Sequence, residues 1–382
     1  MPLSRRAFLL STAAVPMLGM PPLGAAAEAI PAAVIGHTGR GDFGHGLDGI
    51  FAGREGIVLV AVADPDDAGR ERARARTGAL RAYADYRELL ARERPKLVSV
   101  AMRHADQHRD IVEACLKAGA HVYLEKPLAR SAAESDAMLA LAVRLGLKLA
   151  VAHTMRMAPA VVRLREAVQG GRLGEVREIR AFGKQDSRAG GEDMMVLGTH
   201  LFDLCRLWVG DPIWVSGRVL LGGRAVVVGD RRRVKDDVGW VAGDQVFASF
   251  GFPGGVHGTF TSDAKLREST GHWGLEIHGT RAVARLMCDL NPTALVREAG
   301  TWKTSGRTDS WETLASDASR DQATHNDAPV TDWLAAIREG REPECSARNA
   351  AWAVEMAMGV YGSALTGRTL SFPLEERKHP LE

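Results

Sequence analysis

Excess charge is missing from this 382-residue chain: 49 lysines and arginines stand against 47 aspartates and glutamates. A near-neutral balance leaves no electrostatic footprint for nucleic acid. Paired cysteines are missing too. Cys115, Cys205, Cys288 and Cys345 are scattered singly, which excludes a disulfide framework, a metal knuckle and a dithiol redox motif. Cys115 and Cys205 fall on apolar helical patterns, where packing is their expected role. There is no internal repeat and no low-complexity linker. The remaining composition is that of a globular protein long enough for two domains with a sizeable core.

The N-terminus departs from that plain background. Ser4-Arg5-Arg6-Ala7-Phe8-Leu9-Leu10 leads into a short apolar stretch and then Pro21-Pro22-Leu23-Gly24-Ala25-Ala26-Ala27. A charged start, an apolar middle and a small-residue end make an export signal. Adjacent arginines before the apolar run mark the twin-arginine type. The run is too short and too rich in helix breakers for a good transmembrane helix. The expectation is a signal peptide over 1–27, a partnership with the twin-arginine export machinery, and a periplasmic or otherwise exported mature chain. Folding before export also fits the unpaired cysteines.

From residue 30 to 152 apolar runs alternate with amphipathic ones. Strands are expected at Ala32 to Gly36, Ile57 to Ala63, Leu97 to Met102, His121 to Leu124 and Lys148 to Ala152. Helices are expected at Ala68 to Thr77, Tyr86 to Glu93, Gln107 to Ala118 and Ala132 to Leu145. That alternation predicts a doubly wound parallel sheet of the Rossmann type. Gly36-His37-Thr38-Gly39-Arg40-Gly41 follows the first strand, and Gly39, Gly41 and Gly44 fit G-x-G-x-x-G. Glycines admit a close pyrophosphate, and a helix start after them would favour its charge. Asp64 ends the second strand, where an acid can bind the adenosine ribose and disfavour a 2′-phosphate; a turn or cap is its alternative role. NAD is the expected cofactor, with NADP left open because Asp64 alone makes the distinction. His104 ends another strand and is expected to overlook the cofactor. With Asp106 and His108 it is a metal ligand by type, but the three converge on no known ligand set, so no metal is expected.

His121-Val122-Tyr123-Leu124-Glu125-Lys126-Pro127 is a buried strand ending in a charged pair and a chain-turning proline. Ligands of open parallel sheets collect beyond such strand ends. From 153 to 382 the pattern changes to segments of strand character, including Ile213 to Leu221 and Trp240 to Phe252. An α+β domain with an open, largely antiparallel sheet is expected there. A helix is expected from Gly190-Gly191 to Trp208. It places His200 and Asp203 three residues apart on one face, where a carboxylate can orient an imidazole base.

The glycine loop, Asp64, Glu125-Lys126-Pro127 and Gly198-Thr199-His200-Leu201-Phe202-Asp203, in this order, resemble the Gfo/Idh/MocA oxidoreductases. The resemblance implies a nicotinamide-binding domain holding Gly36, Thr38, Gly39, Gly41, Asp64, His104, Glu125 and Lys126 near the cofactor. It implies an open-sheet C-terminal domain used in oligomer contacts, hence a homo-oligomer. Lys126 would approach substrate and nicotinamide, and His200 would accept the proton. Many members carry an aspartate four residues before that histidine, and this chain has Val196. Asp193, Glu192, Asp186 or Lys184 could compensate. Arg156, Lys184, Asp186 and Arg188 are the candidate substrate residues, the cations suiting acidic or glycosylated substrates. The implied activity is hydride transfer between a sugar or polyol CH–OH and a tightly held nicotinamide. Two alternatives remain: an NAD-dependent glycosidase working by transient oxidation, and a non-catalytic sugar-binding protein.

Overall fold

The computed structural model describes residues 29–266, 273–289, 291–298, 310–317 and 324–382. The export segment expected over 1–27 lies outside the described residues. Six strands, β1 (Ile30–Ile35), β2 (Ile57–Ala63), β3 (Arg81–Tyr83), β4 (Leu97–Val100), β5 (His121–Leu124) and β6 (Leu149–Val151), form one parallel sheet. Their order is β3-β2-β1-β4-β5-β6, so the chain reverses direction between β1 and β4. That switch point is where such sheets bind ligands. Both faces of the sheet are covered, which explains its continuous apolar runs. On β5, Val122 and Leu124 join one core while Tyr123 faces the other.

The crossover helices are α1 (Asp67–Thr77), α2 (Tyr86–Glu93), α3 (His108–Lys117) and α4 (Ala132–Leu145). Each begins and ends on readable signals. Asp66 accepts from the Gly69 amide at 2.6 Å at the start of α1, and Ser131 caps α4. Such caps are worth about 1 kcal/mol each. The first crossover is the exception and a correction. No helix follows the glycine loop; residues 37–54 are a chain of tight turns. Gly41, Gly44 and Gly46 all take positive φ, which a right-handed helix cannot continue through. Phe43, Leu47, Ile50 and Phe51 nevertheless plug that face of the sheet. A late helix, Asp327–Glu339, completes the cover, with its buried Trp333 ring 5.7 Å from Tyr123 and 6.5 Å from Phe51.

After α5 (Pro159–Gln169) come ten strands: β7 (Val176–Phe182), β8 (Trp214–Leu221), β9 (Arg224–Ala225), β10 (Gln245–Gly251), β11 (His257–Asp263), β12 (Trp273–Gly279), β13 (Ala282–Cys288), β14 (Thr293–Glu298), β15 (Glu312–Ser316) and β16 (Leu370–Ser371). Nine follow the order β15-β14-β13-β12-β7-β11-β10-β8-β16, with β9 paired to β8. In this second sheet only β7 and β11 pair in parallel among the described strands, so it is open and largely antiparallel as expected. The strand expected from Trp240 starts later, at Gln245. Gly239 and Gly243 hold positive φ, and the intervening chain makes a loop instead. The helices Thr199–Val209 and Ala347–Thr366 pack against one another and against the sheet. Among the described residues no helix is long and apolar enough to cross a membrane.

Candidate active site

Three strand ends of the parallel sheet supply one wall of a cleft. Beyond β1 the glycine loop crosses toward β4. A side chain at Gly41 would strike the backbone of Arg103, and one at Gly44 would strike the Ala101 carbonyl and the Glu125 carboxylate. These glycines let the loop lie flat against the strand ends and leave its outer surface to a phosphate group. Gly36 sits under the Phe43 ring, and Gly39 has open space around it. Asp64 is fully buried at the end of β2. Its carboxylate accepts from the Thr38 amide at 3.0 and 3.1 Å, the Thr38 hydroxyl at 2.7 Å and the Asp66 amide at 2.9 Å. Asp64 thus ties the glycine loop to β2, and any ribose contact would require exchange of one of these bonds. A cavity of about 340 Å³ beside it is lined by Gly36, Asp64, Asp85, Tyr86, Met102 and Gln107. Its position and apolar floor suit an adenine ring. The residues present therefore fit a dinucleotide laid across β2, β1 and β4.

Glu125 and Lys126 occupy the end of β5, and the Lys126–Pro127 bond is cis. Glu125 is fully buried and engaged on both oxygens. It accepts from the His45 amide at 3.2 Å and from Lys126 N at 3.1 Å, and its Oε1 lies 2.9 Å from His45 Nδ1. Burial alone would raise its pKa, but the charge and hydrogen bonds of His45 hold it below the usual range. Lys126 is 8% exposed, and its Nζ reaches the Val196 carbonyl at 3.4 Å. Burial lowers the Lys126 pKa, against the opposing fields of Glu125 and Asp236. An amine so placed can donate to a substrate oxygen and stabilise charge developing there.

The facing wall carries His200. The expected single helix is broken there: Gly191–Asp193 makes an α turn, Met194–Gly198 is π-helical, and Thr199–Val209 is α-helical. π segments inside helices often mark functional positions. His200 is buried, its ring 5.0 Å from His153 and 6.2 Å from Trp273. Burial drives its pKa well below the usual imidazole range, aided by His153 and Lys126, so it stays neutral and basic in form. A cavity of about 300 Å³ brings Lys126, His200, Glu125, His45, Trp273 and Asp236 together, with Arg103, Lys184 and Arg188 also on its lining.

Other expected residues lie elsewhere. Asp203 does not hold His200; its carboxylate pairs with Arg156 at 2.9 Å, and His200 Nδ1 has no partner. The physical reason is that both side chains of the Asp203–Arg156 pair are buried, and a buried carboxylate needs a full counter-charge. Arg156 is accordingly withdrawn from the substrate cavity. Asp186 pairs with Arg188 rather than facing the cavity. His104 lies with Asp106 and Asp237, their ligand atoms within 4.8 Å of one another. Arg40 already bridges those two acids at 2.7 and 3.1 Å, filling the place of a cation. Sequence reasoning passed over His45, His153, Trp273 and Asp236. His45 was legible as the residue beside Gly44; the other three reach the cleft only through tertiary packing.

Residues 30–153 match the model of the oxidoreductase family GFO_IDH_MocA, described as an NAD-binding Rossmann fold. Residues 161–285 match that of the GFO/IDH/MocA C-terminal domain. The chain belongs to the GFO/IDH/MocA oxidoreductase family. It is 25% identical to a D-apiose dehydrogenase of Paraburkholderia graminis, over 85% of this chain and 86% of that protein. It is 31% identical to a trans-1,2-dihydrobenzene-1,2-diol dehydrogenase of Oryctolagus cuniculus, over 65% and 72% respectively. The fold is shared with an Agrobacterium radiobacter oxidoreductase solved in complex with NAD+, L-tartaric acid and magnesium (TM-score 0.71, 20% identity, covering 90% of this chain and 98% of that one). Within the GFO/IDH/MocA pattern the departure at Val196 is real. Its side chain is buried apolar packing, and only its carbonyl meets Lys126. Asp193 does not replace the missing acid. It is buried against the Ser262 hydroxyl at 2.6 Å and the Gln185 amide at 3.1 Å.

Proposed function

We propose that this protein oxidises a CH–OH group of a sugar or polyol with bound NAD+, or reduces the corresponding carbonyl with bound NADH. The observation that carries this reading is that Lys126 and His200 line one cavity at the strand ends of the parallel sheet. NAD, when bound, supplies the two-electron acceptor. Lys126 donates a hydrogen bond to the substrate oxygen and steadies its negative charge. His200, held neutral, keeps one ring nitrogen unprotonated, and that nitrogen takes the proton leaving the hydroxyl. Trp273 offers an apolar face of the kind that packs on a sugar ring. The relatives' names, a pentose dehydrogenase and a diol dehydrogenase, point to the same class of neutral polyhydroxy substrate.

The reading extends to location. The segment Ser4-Arg5-Arg6 through Ala27 supports twin-arginine export. Outside the cytoplasm a spent nicotinamide has no exchange pool, so the cofactor would stay bound and be restored within each cycle. The test begins with protein purified without added nucleotide. Mass spectrometry of the denatured supernatant should find NAD, and adding a pentose or polyol panel should raise absorbance at 340 nm by one equivalent per site. A folded protein that neither retains nor binds NAD would overturn the reading.

A further inference from the structure

We propose that Asp236 is the substrate-binding carboxylate of this site, brought across the cleft to the cavity that Lys126 and His200 line. The inference rests on the oxidoreductase reading and extends it to a residue outside the expected motif. Asp236 belongs to the segment between β9 and β10, which leaves the C-terminal sheet and crosses toward the glycine loop. Its neighbour Asp237 fixes the crossing: Arg40 of the glycine loop donates to it at 3.1 Å, and Arg233 pairs with it at 3.3 Å. Val238 and Gly239 are buried, and Gly239 lies close against Arg130. Arg232 anchors the other end through Glu192 at 2.9 Å and a backbone bridge to Val241.

Held this way, Asp236 lines the same cavity as Lys126, Arg188 and His200. Its charge acts on Lys126 and on Arg188, so its carboxylate lies within their field. It has no hydrogen-bond or ion-pair partner among the described residues. The nearby acids differ in this respect: Glu125 is bonded to His45 and Lys126, Asp186 to Arg188, and Asp193 to Ser262. A half-buried, unpartnered carboxylate facing a buried amine is an acceptor for a substrate hydroxyl. In a polyol the hydroxyl it would hold is the one adjacent to the carbon whose oxygen meets Lys126. The substrate class is therefore a vicinal diol, bound by Lys126 at one oxygen and Asp236 at the next.

The test compares Asp236→Asn with wild type in three measurements. Lysine amines labelled by reductive methylation with 13C-formaldehyde are titrated by NMR, the Lys126 signal being assigned by its loss in Lys126→Met. The Asn variant should bind NAD as wild type does, shift the Lys126 titration to lower pH, and lose on the order of 10- to 100-fold in kcat/KM for a vicinal diol. A substrate lacking the adjacent hydroxyl should show no further loss. An unchanged Lys126 titration together with unchanged kcat/KM overturns the proposal while leaving the enzyme reading intact. A wild-type protein that reduces no NAD with any diol fails the enzyme reading instead. The Lys126 titration and calorimetric binding of D-apiose then still decide whether Asp236 faces the amine and the ligand.

Discussion

The Glu125–Lys126 corner and the surroundings of His200 satisfy their polar groups in opposite ways. On the nucleotide-domain wall, Glu125, Lys126 and His45 are joined in one network, and Asp64 uses both oxygens to hold Thr38 and Asp66. Around His200, its own Nδ1, both ring nitrogens of His153 just past β6, Asp193 Oδ1 and the Thr199 hydroxyl are buried without partners. A buried polar group left unpaired costs about 1–3 kcal/mol. The Glu125–Lys126 corner is thus a finished support that fixes one amine in place, while Arg103 Nε and Arg40 Nε farther along that wall have no partner. The second region stores unsatisfied acceptors around an imidazole that must remain neutral to take a proton. The difference separates holding from reacting.

The largest effect should come from the buried amine of the nucleotide-domain wall that lines the cavity. Lys126→Met should reduce kcat/KM by about 10³-fold, or about 4 kcal/mol, while bound NAD is retained. Stopped-flow absorbance at 340 nm with a responsive sugar, beside mass spectrometry of bound nucleotide, separates the two. Comparable turnover in the variant would remove Lys126 from the chemistry and reduce that wall to scaffold.

Next comes Arg156, which sequence placed in the substrate pocket and the structure places behind His200. Arg156→Met leaves Asp203 buried without a counter-charge, at a cost of about 3 kcal/mol in stability. Denaturant unfolding should show the loss, with KM nearly unchanged at temperatures where the variant is folded. A large KM effect with full stability would return Arg156 to the substrate.

These two residues also show where sequence was sufficient. The parallel sheet and the Lys126 corner were legible because each depends on local signals: apolar period, and a proline after a charged pair. The strand end alone puts Lys126 in the cleft. The turns after Gly36 were misread as a helix because the glycine motif was matched by spacing, while the positive φ at Gly41, Gly44 and Gly46 decides the path. The partner of Asp203 was not legible. Residues three apart on a helix can share a face, yet Arg156 from 47 positions away supplies the stronger charge. Asp236 likewise reads as one member of a solvated charge run until the segment is seen crossing the cleft.

The pH dependence of stability should report the surroundings of His200. His153 is lowered to about 4 by burial, and His200 lies well below the usual 6.5. With folded values below the unfolded one, the unfolded chain binds protons first as pH falls. Stability is therefore full above pH 6.5 and declines toward pH 4, by about 1 kcal/mol per pH unit for each such imidazole. Glu125 behaves differently. Its lowered pKa keeps its contribution intact above the ordinary carboxylate value and removes it only below that. His108 and His379 are lowered by burial as well and add to the same slope. A variant is needed to isolate one ring. His153→Phe should flatten the slope between pH 6.5 and 4 by about one proton's worth, measured by urea unfolding at stepped pH. An unchanged slope would mean that His153 finds a proton partner when folded, and the contrast between the two regions would weaken.

The smallest effect belongs to Lys184, an exposed cation at the edge of the cavity. Solvent screens a charge so placed, and exposed pairs contribute about 0–1 kcal/mol. Lys184→Met should change KM for a neutral polyol by less than about 5-fold and leave kcat unaltered. Salt tests the same point from another side. Raising ionic strength should abolish whatever difference remains, because the charge acts through water. For a sugar acid the variant should lose more at low salt and still lose little in kcat. A loss confined to sugar acids would make Lys184 a selector at the entrance, distinct from Lys126 and Asp236 deeper in the cavity. A salt-independent loss in kcat for a neutral polyol would show instead that Lys184 closes onto the reacting carbon. The facing wall would then bring a second amine into the chemistry.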